Sequence, residues 1–258
     1  MIFRQFVDDD LGCASYLVGD ETTQEAIIVD PSYAIEPYLA AAAQEHVRIV
    51  RTLETHTHAD HVSGHGRLAF EHGIPVAIHR AAEVEYEHDP LEDGQEIVLG
   101  DVVLRVIHTP GHRPEHCCFT VIDRTRADEP WLLLTGDSLF VGDAARPDLA
   151  VEAVDGAREL YASLRRLLEL PDGVEVYPGH VAGSLCGASM SSKASTTIGF
   201  ERRFNPMLGA ADVEEFVSAS ALTRAPRPPN LDRIVELNRG SFVGAAEPLV
   251  ERDGLEPP

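Results

Sequence analysis

Short apolar runs alternate with amphipathic, helix-like segments along most of the chain. The apolar runs are rich in Val, Ile and Leu and end at Gly, Pro or acidic turns, which is typical of buried strands. They predict strands over residues 14–18, 26–29, 47–53, 76–79, 96–99, 102–107, 117–122, 131–134 and 174–177. Segments rich in Ala and Leu, or with apolar residues at helical spacing, predict helices over residues 35–45, 62–72 and 151–170. This alternation favours a layered α/β domain whose loops converge at one edge.

The pattern changes after residue 180. Residues 181–192 are rich in Gly and Ser, which predicts a loop over that edge, and two further helices are predicted over 211–222 and 231–237. About 50 residues with few large apolar groups are too few to bury a core of their own. We therefore expect a main domain over residues 1–205, with residues 206–258 packed on it as a helical extension and acidic tail.

Composition and charge narrow the class of protein. The chain has 258 residues, of which 44% are hydrophobic and 25% charged, as in ordinary globular proteins. Its net charge of −22 repels phosphate backbones and anionic lipid, so we expect neither nucleic acid nor a membrane as a partner. The first residues turn acidic without a secretory apolar core. The four cysteines form no Cys-x-x-Cys pair, and we predict a cytoplasmic protein with small, buried cysteines.

Twelve histidines cluster where predicted strands end. The most informative cluster runs from His56 to His61. In extended backbone, side chains at i, i+2 and i+4 project to one side, so His56, His58 and Asp60 are expected to converge. His61 then leaves in another direction. A run this dense in imidazole and carboxylate groups indicates a metal site rather than a polar loop.

Three later strands end in residues of the same kind. His112 stands in Pro-Gly-His, Asp137 in Gly-Asp and His180 in a second Pro-Gly-His. A metal needs an imidazole or a carboxylate from several distant parts of the chain, and strand ends supply them. Together with the cluster from His56 to His61, these make four strand ends that carry possible ligands, and they predict one metal centre. Other nearby histidines are expected to orient ligands or to pack, and these are His108, His116 and His65.

The order of these residues resembles that of the metallo-β-lactamase superfamily. Its ligand set is matched over about residues 10–205, and the matching residues are His56, His58, Asp60, His61, His112, Asp137 and His180. The resemblance implies an αββα sandwich with the metal in the groove between two sheet edges. The superfamily includes hydrolases, nucleases and oxygen-handling enzymes, so the fold alone leaves the chemistry open.

Flanking sequences resemble one branch of this superfamily. The persulfide dioxygenases, also called sulfur dioxygenases, have similar sequences at residues 54–64, 135–143 and 145–149. A bacterial branch that is often fused to rhodanese domains resembles the chain at residues 183–187, 203–206 and 236–239. No rhodanese sequence follows here, so we expect any coupled sulfur transfer to use a separate rhodanese. The chain departs from the mitochondrial-type enzymes at Val181 and Ala182, where those enzymes carry Asp and Tyr.

The resemblance implies one Fe(II) per chain, held by His56, His112 and Asp137. Two imidazoles and one carboxylate leave open positions for a substrate sulfur and O₂. The implied reaction oxidises a low-molecular-weight thiol persulfide, such as glutathione persulfide, with O₂ to sulfite and free thiol. We predict that Arg146 and Cys186 contact this substrate. The residues expected to surround the iron, holding waters and tautomers in place, are His58, Asp60, His61 and His180.

The alternative hypothesis uses the same residues to hold two metal ions. If His58, Asp60, His61 and His180 all bind metal, the site becomes a two-zinc centre with a bridging hydroxide. Such a protein would be a thioester hydrolase of the glyoxalase II type. The ligand set does not separate the two hypotheses, whereas the flanking sequences favour the dioxygenase. The natural thiol, the metal and the oligomeric state, including a homodimer, stay open.

Overall fold

Two six-stranded sheets form the centre of the molecule. The computed structural model describes residues 1–8, 12–148, 150, 152–181, 191–220 and 230–241. The first sheet contains strands β1 to β6, which are Ile2–Val7, Ala14–Asp20, Glu25–Val29, Arg48–Leu53, Val76–His79 and Asp89–Leu91. The second contains β7 to β10, which are Glu96–Leu99, Val102–His108, Cys117–Asp123 and Leu132–Gly136, together with β13 and β14, which are Glu175–Pro178 and Thr196–Thr197. A small hairpin follows β10 and precedes β13 in sequence, with β11 at Leu139–Phe140 and β12 at Asp143–Ala144.

Helices flank the two sheets. The six α-helices, α1 to α6, are Glu36–Gln44, His65–His72, Ala153–Leu167, Ile198–Phe204, Val213–Ser220 and Leu231–Arg239. Two short 3₁₀ turns occur at Arg80–Ala82 and Pro206–Gly209. Within the described ranges, no helix is both long and apolar enough to cross a bilayer.

Strand direction brings the candidate ligands to one edge. In the first sheet, β3 to β6 are mutually parallel, and in the second, β8 and β10 both run antiparallel to β9 while β13 runs parallel to β10. Hence β8, β10 and β13 point the same way, and the loops that follow them emerge together. The two sheets meet at this edge, where the Cys117 N–H donates a 2.7 Å hydrogen bond to the Thr55 carbonyl.

Alternating strand residues divide the core into layers. Tyr16, Val29 and Leu53 of the first sheet belong to one buried cluster with Leu104 and Phe119 of the second, which fills the space between the sheets. The outer face of the first sheet packs against α1 and α2, and the outer face of the second packs against α3 and α5. The result is a helix–sheet–sheet–helix arrangement, which confirms the predicted αββα sandwich.

All nine predicted strands are present, with ends shifted by at most two residues. The prediction of a helix from residue 62 is wrong at its start, because α2 begins at His65. Ser63 forms a β-bridge with Ser32, and the Gly64 N–H donates to the Pro31 carbonyl at 2.9 Å, so residues 62–64 are held as a loop. The sequence analysis missed β1, β6, α4 and the two-residue strands β11, β12 and β14. Of these, β6 is a three-residue edge strand containing Pro90, and α4 has seven residues, which is too short for a clear helical period.

The described part of the C-terminal extension packs on the rest of the molecule. Phe216 of α5 is buried beside Tyr161 of α3, with ring centroids 5.6 Å apart. Leu231 of α6 packs against Ala59, within the histidine-rich loop. The division of the chain at residue 205 stays a prediction, and the acidic tail lies outside the described residues.

Candidate metal centre

Three of the predicted ligands meet at the sheet edge. The ligand atoms of His56, His112 and Asp137 all lie within 4.8 Å of one another, and each residue is 1% exposed. His112 Nε2 lies 3.8 Å from Asp137 Oδ2. In the described part of the chain, Asp137 Oδ2 is buried and has no hydrogen-bond partner. A buried, unpaired carboxylate oxygen beside two imidazoles fits a divalent cation, because buried polar atoms are otherwise almost always paired.

Hydrogen bonds fix which nitrogen each histidine offers. The Thr55 hydroxyl donates its proton to Asp30 Oδ2 at 2.8 Å. The hydroxyl oxygen, Thr55 Oγ1, is therefore free to accept a hydrogen bond from His56 Nδ1–H at 2.9 Å. His112 Nδ1–H donates to the Arg146 carbonyl at 3.2 Å. Both histidines therefore have Nε2 available for a metal, the usual consequence of a partner on the other ring nitrogen.

The surroundings also set the charge states. Burial lowers the pKa of His56 and His112 below the ordinary value for histidine, so both are neutral at pH 7, which is the metal-binding form. Burial alone would raise the pKa of Asp137, but the charge and hydrogen bond of His180 lower it to about 2. Asp137 is therefore an ionised carboxylate at neutral pH.

Glycine allows Asp137 to reach its position. Gly136 ends β10 with a φ of +47°, in the left-handed region that suits glycine. A Cβ atom there would lie 2.5 Å from Thr55 Oγ1 and 2.9 Å from His116 Nε2. The Asp137 N–H donates to this same His116 nitrogen at 3.0 Å. The close approach of β10 to Thr55 and His116 thus depends on a glycine, which has no side chain, at position 136.

Three of the remaining predicted ligands, Asp60, His61 and His180, form a second group next to the first. His180 Nδ1–H donates to Asp137 Oδ1 at 2.7 Å, and His180 Nε2 lies 2.9 Å from Asp60 Oδ2. His61 Nδ1 lies 3.0 Å from the same Asp60 oxygen. Cys13 stands among all three, with Sγ 3.1 Å from Asp60 Oδ2, 3.3 Å from His180 Nε2 and 3.7 Å from His61 Nδ1.

Cys13 is a residue that sequence reasoning missed. It was interpreted as a small buried cysteine, and it is 6% exposed, but it also contacts three of the predicted ligands. Cys13 reaches this place through a β-bridge to His180, which is 167 residues away in sequence. No sequence pattern near Cys13 predicts its pairing with His180.

His58 joins a third group instead of the first. Its Nε2 lies 3.0 Å from Glu54 Oε2 and 3.3 Å from Asp30 Oδ1, both buried. Although burial opposes it, these two carboxylates raise the pKa of His58 to about 10. His56, His58 and Asp60 do lie close together, with the His56 and His58 ring centroids 4.4 Å apart and His58 Nδ1 3.8 Å from Asp60 Oδ1. The backbone differs from the prediction, because the strand ends at Leu53 and the following residues form a loop. Each of the three residues belongs to a different group of candidate ligand atoms.

The flanking histidines differ from one another. His116 orients a ligand as predicted, but it accepts a hydrogen bond from the Asp137 N–H rather than donating one. His108 contacts none of the predicted ligands; its Nε2 lies 2.8 Å from the Pro114 carbonyl and its ring stacks on that of His79. His65 is buried, with Nδ1 2.9 Å from Glu54 Oε1, which agrees with the packing role.

The two predicted substrate contacts stay predictions. Arg146 lies beside the metal centre through its carbonyl, which accepts from His112. Its guanidinium donates to both oxygens of Asp148, at 2.7 and 2.8 Å. Cys186 lies outside the described residues.

Comparison with known proteins identifies the family. The model of the metallo-beta-lactamase superfamily matches residues 8–180. The human mitochondrial persulfide dioxygenase ETHE1 is 30% identical over 241 residues, which cover 92% of this chain and 87% of that protein. Two solved structures are each 30% identical: a metallo-beta-lactamase from Staphylococcus aureus (TM-score 0.88, 95% of this chain and 73% of that one) and ETHE1 from Myxococcus xanthus (TM-score 0.81, 93% and 98%). The chain therefore belongs to the metallo-β-lactamase superfamily and is a homologue of the persulfide dioxygenases.

Proposed function

We propose that the protein is a persulfide dioxygenase that uses one Fe(II) per chain. The observation that carries this proposal is the separation of the ligands into an open triad and a closed group. His56, His112 and Asp137 form the triad. The remaining candidates bond to one another, to Cys13 or to buried carboxylates. Two imidazoles and one carboxylate with open positions are typical of non-heme Fe(II) oxygenases.

Within the closed group, the contacts of Asp60 and His180 in particular favour a single metal ion in the protein. To bind a second ion, Asp60 Oδ2 and His180 Nε2 would have to exchange their 2.9 Å contact for the metal, and the Cys13 sulfur lies 3.1 and 3.3 Å from these two atoms. His58 Nδ1 and His61 Nε2 are buried without a hydrogen-bond partner among the described residues, so these are the atoms that the two-metal hypothesis would use. The one-metal hypothesis leaves the contact between Asp60 and His180 in place.

The proposed reaction converts a thiol persulfide, O₂ and water into free thiol, sulfite and two protons. The terminal sulfur loses four electrons, O₂ gains them, and water supplies the third oxygen of sulfite when the S–S bond breaks. A bound Fe(II) would supply the one-electron chemistry through which O₂ reacts with sulfur. The chain itself holds both imidazoles in one tautomer, keeps Asp137 ionised through His180, and buries all three ligands away from bulk water.

Oxygen consumption tests this proposal directly. We expect purified protein loaded with Fe(II) to consume O₂ with glutathione persulfide and to release sulfite. A parallel assay with S-lactoylglutathione should show no thioester cleavage above the metal-free control. Metal analysis of protein purified without added metal should give one iron per chain. Two zinc ions per chain, thioester cleavage and no oxygen uptake would establish the glyoxalase II type of hydrolase instead.

Arg146 is the proposed contact for the anionic part of the substrate. Its carbonyl accepts from the ligand His112, and its guanidinium is held by both oxygens of Asp148, which fixes the planar fork. We expect Arg146→Lys to raise KM for the persulfide while iron content stays unchanged, because lysine keeps the charge but loses the fork. Asp148→Asn should raise KM as well, because it releases the guanidinium. If both variants instead lower the melting temperature at constant KM, Arg146 only anchors the loop.

Several features stay predictions from the sequence. They are a role for Cys186 near the substrate, a cytoplasmic location, a separate rhodanese as partner and a homodimer. The natural thiol is also open. A comparison of KM among persulfides of different low-molecular-weight thiols would identify it.

A further inference from the structure

The histidine-rich loop, residues 54–64, lies outside the named strands and helices, and side chains from distant segments hold much of it. The Thr55 N–H donates to Asp30 Oδ1 at 2.7 Å, and the Thr57 N–H donates to Glu115 Oε1 at 3.1 Å. The later part of the loop is held from the C-terminal helix α6. There Asn238 contacts three of its residues.

Asn238 uses both ends of its amide group. Its Nδ2 donates to the His58 carbonyl at 3.0 Å and to the His61 carbonyl at 2.8 Å, while its Oδ1 accepts from the Ser63 N–H at 2.9 Å. The side chain is 3% exposed, so water does not compete for these bonds. An amide carries two donors and an acceptor on one small group, and the loop presents two carbonyls and an N–H to match.

The helix contacts the loop at two places. Leu231, in the first turn of α6, packs against Ala59, and Asn238, in the last turn, bonds to the loop around it. These positions share one helix face with Ile234, which is fully buried. Residues 231 and 238 are about 10 Å apart along the axis at 1.5 Å per residue, so the helix spans this part of the loop.

We propose that Asn238 is a positioning residue of the metal centre and that α6 and the histidine-rich loop are coupled through it. The histidine-rich loop carries the ligand His56 and, further along, Asp60 and His61, which contact His180 and Cys13. Fixing the carbonyls of residues 58 and 61 fixes the path of the backbone between these side chains. The inference rests on the metal site of the proposed function, but not on its oxidation chemistry.

Coupling of this kind acts in both directions. A metal on the triad restricts the loop and so favours the docked helix, and the docked helix favours the geometry that binds metal. Loss of partners that orient metal ligands commonly weakens metal binding by roughly 10–100-fold. We therefore expect Asn238→Ala to weaken binding by at least about tenfold.

Co²⁺ is a suitable probe because its visible absorption reports ligand geometry. Metal-free wild type, Asn238→Ala and Val235→Ala would be titrated with Co²⁺ alone. Val235 is partly buried in the cluster of Leu231 and Ala59, so its truncation loosens the same helix without removing a hydrogen bond to the loop. We expect weaker binding and an altered absorption band for Asn238→Ala, and a smaller loss of affinity with the wild-type absorption band for Val235→Ala. Equal affinities and spectra in all three proteins would overturn the inference.

Hydrogen exchange keeps the test decisive if Asn238→Ala does not fold. Co²⁺ added to the wild type should slow amide exchange in α6 more than in α1, which packs on the outer face of the first sheet. Unchanged exchange in α6 would contradict the proposed coupling. A His112→Ala protein that binds Co²⁺ as well as the wild type would instead disprove the metal site itself, so the two failures are distinguishable.

Discussion

His112→Ala is expected to abolish iron binding and oxygen consumption together. The substitution removes one of three ligands and leaves one imidazole and one carboxylate, too few to retain Fe(II) against dilution. It also leaves the Arg146 carbonyl without the hydrogen bond that His112 donates. Iron content after gel filtration and oxygen uptake with glutathione persulfide measure the two effects.

His180→Ala is the matched control for this experiment. His180 is as buried as His112, at 2% against 1% exposure, but in the one-iron hypothesis it touches Asp137 and Asp60 rather than the metal. Its loss should weaken iron binding by roughly 10–100-fold and leave measurable activity at saturating Fe(II). The two-metal hypothesis predicts equal damage from both substitutions, and that outcome would refute the one-iron centre.

Gly136→Ala is expected to destabilise the fold and disrupt the metal centre at the same time. The new Cβ would meet Thr55 Oγ1 at 2.5 Å and His116 Nε2 at 2.9 Å, so β10 must move away from both. Asp137 directly follows Gly136, so it would move with the strand and its N–H would lose the bond to His116. Overpacking a tight core typically destabilises by about 1–3 kcal/mol. Chemical denaturation and metal titration measure the two effects.

Gly142→Ala separates backbone strain from this collision. Gly142 also has a positive φ, +80°, but a Cβ there would meet nothing within 4 Å. The control variant therefore includes the strain of a left-handed alanine, about 1–3 kcal/mol, without any contact near the metal. If Gly136→Ala and Gly142→Ala lose the same stability and bind metal equally well, the close approach to Thr55 has no role in the site.

The strands were predictable because each one repeats a local pattern. Buried runs such as residues 102–107 and 117–122 are apolar apart from Arg105 and Thr120 and end at turns, so their bounds are correct to within two residues. Among the edge strands, β7 was predicted, whereas β1, β6 and β14 were missed. In β6, only the last residue is buried, so it has no apolar run for sequence analysis to detect.

The sequence by itself predicted a layered α/β domain and named the residues that meet at the sheet edge, while its resemblance to the superfamily implied the αββα class. It could do so because imidazole and carboxylate groups at the ends of strands have few other roles when buried, and because strand direction carries those ends to one place. A glycine precedes each of His112, Asp137 and His180, and this too is visible in the sequence.

The resemblance implied His56, His112 and Asp137 as the ligands of one iron, and only the tertiary structure decided what surrounds them. Cys13 lies 47 residues from Asp60 and 167 from His180, and Asn238 lies 180 residues from His58, yet these pairs are in contact. A periodic pattern reports how one segment packs, whereas such contacts depend on how distant segments are placed in three dimensions. The contacts of His58 with Glu54 and Asp30 likewise follow from the loop after Leu53, which the sequence predicted as extended backbone. The partners of each candidate ligand are therefore a property of the folded chain.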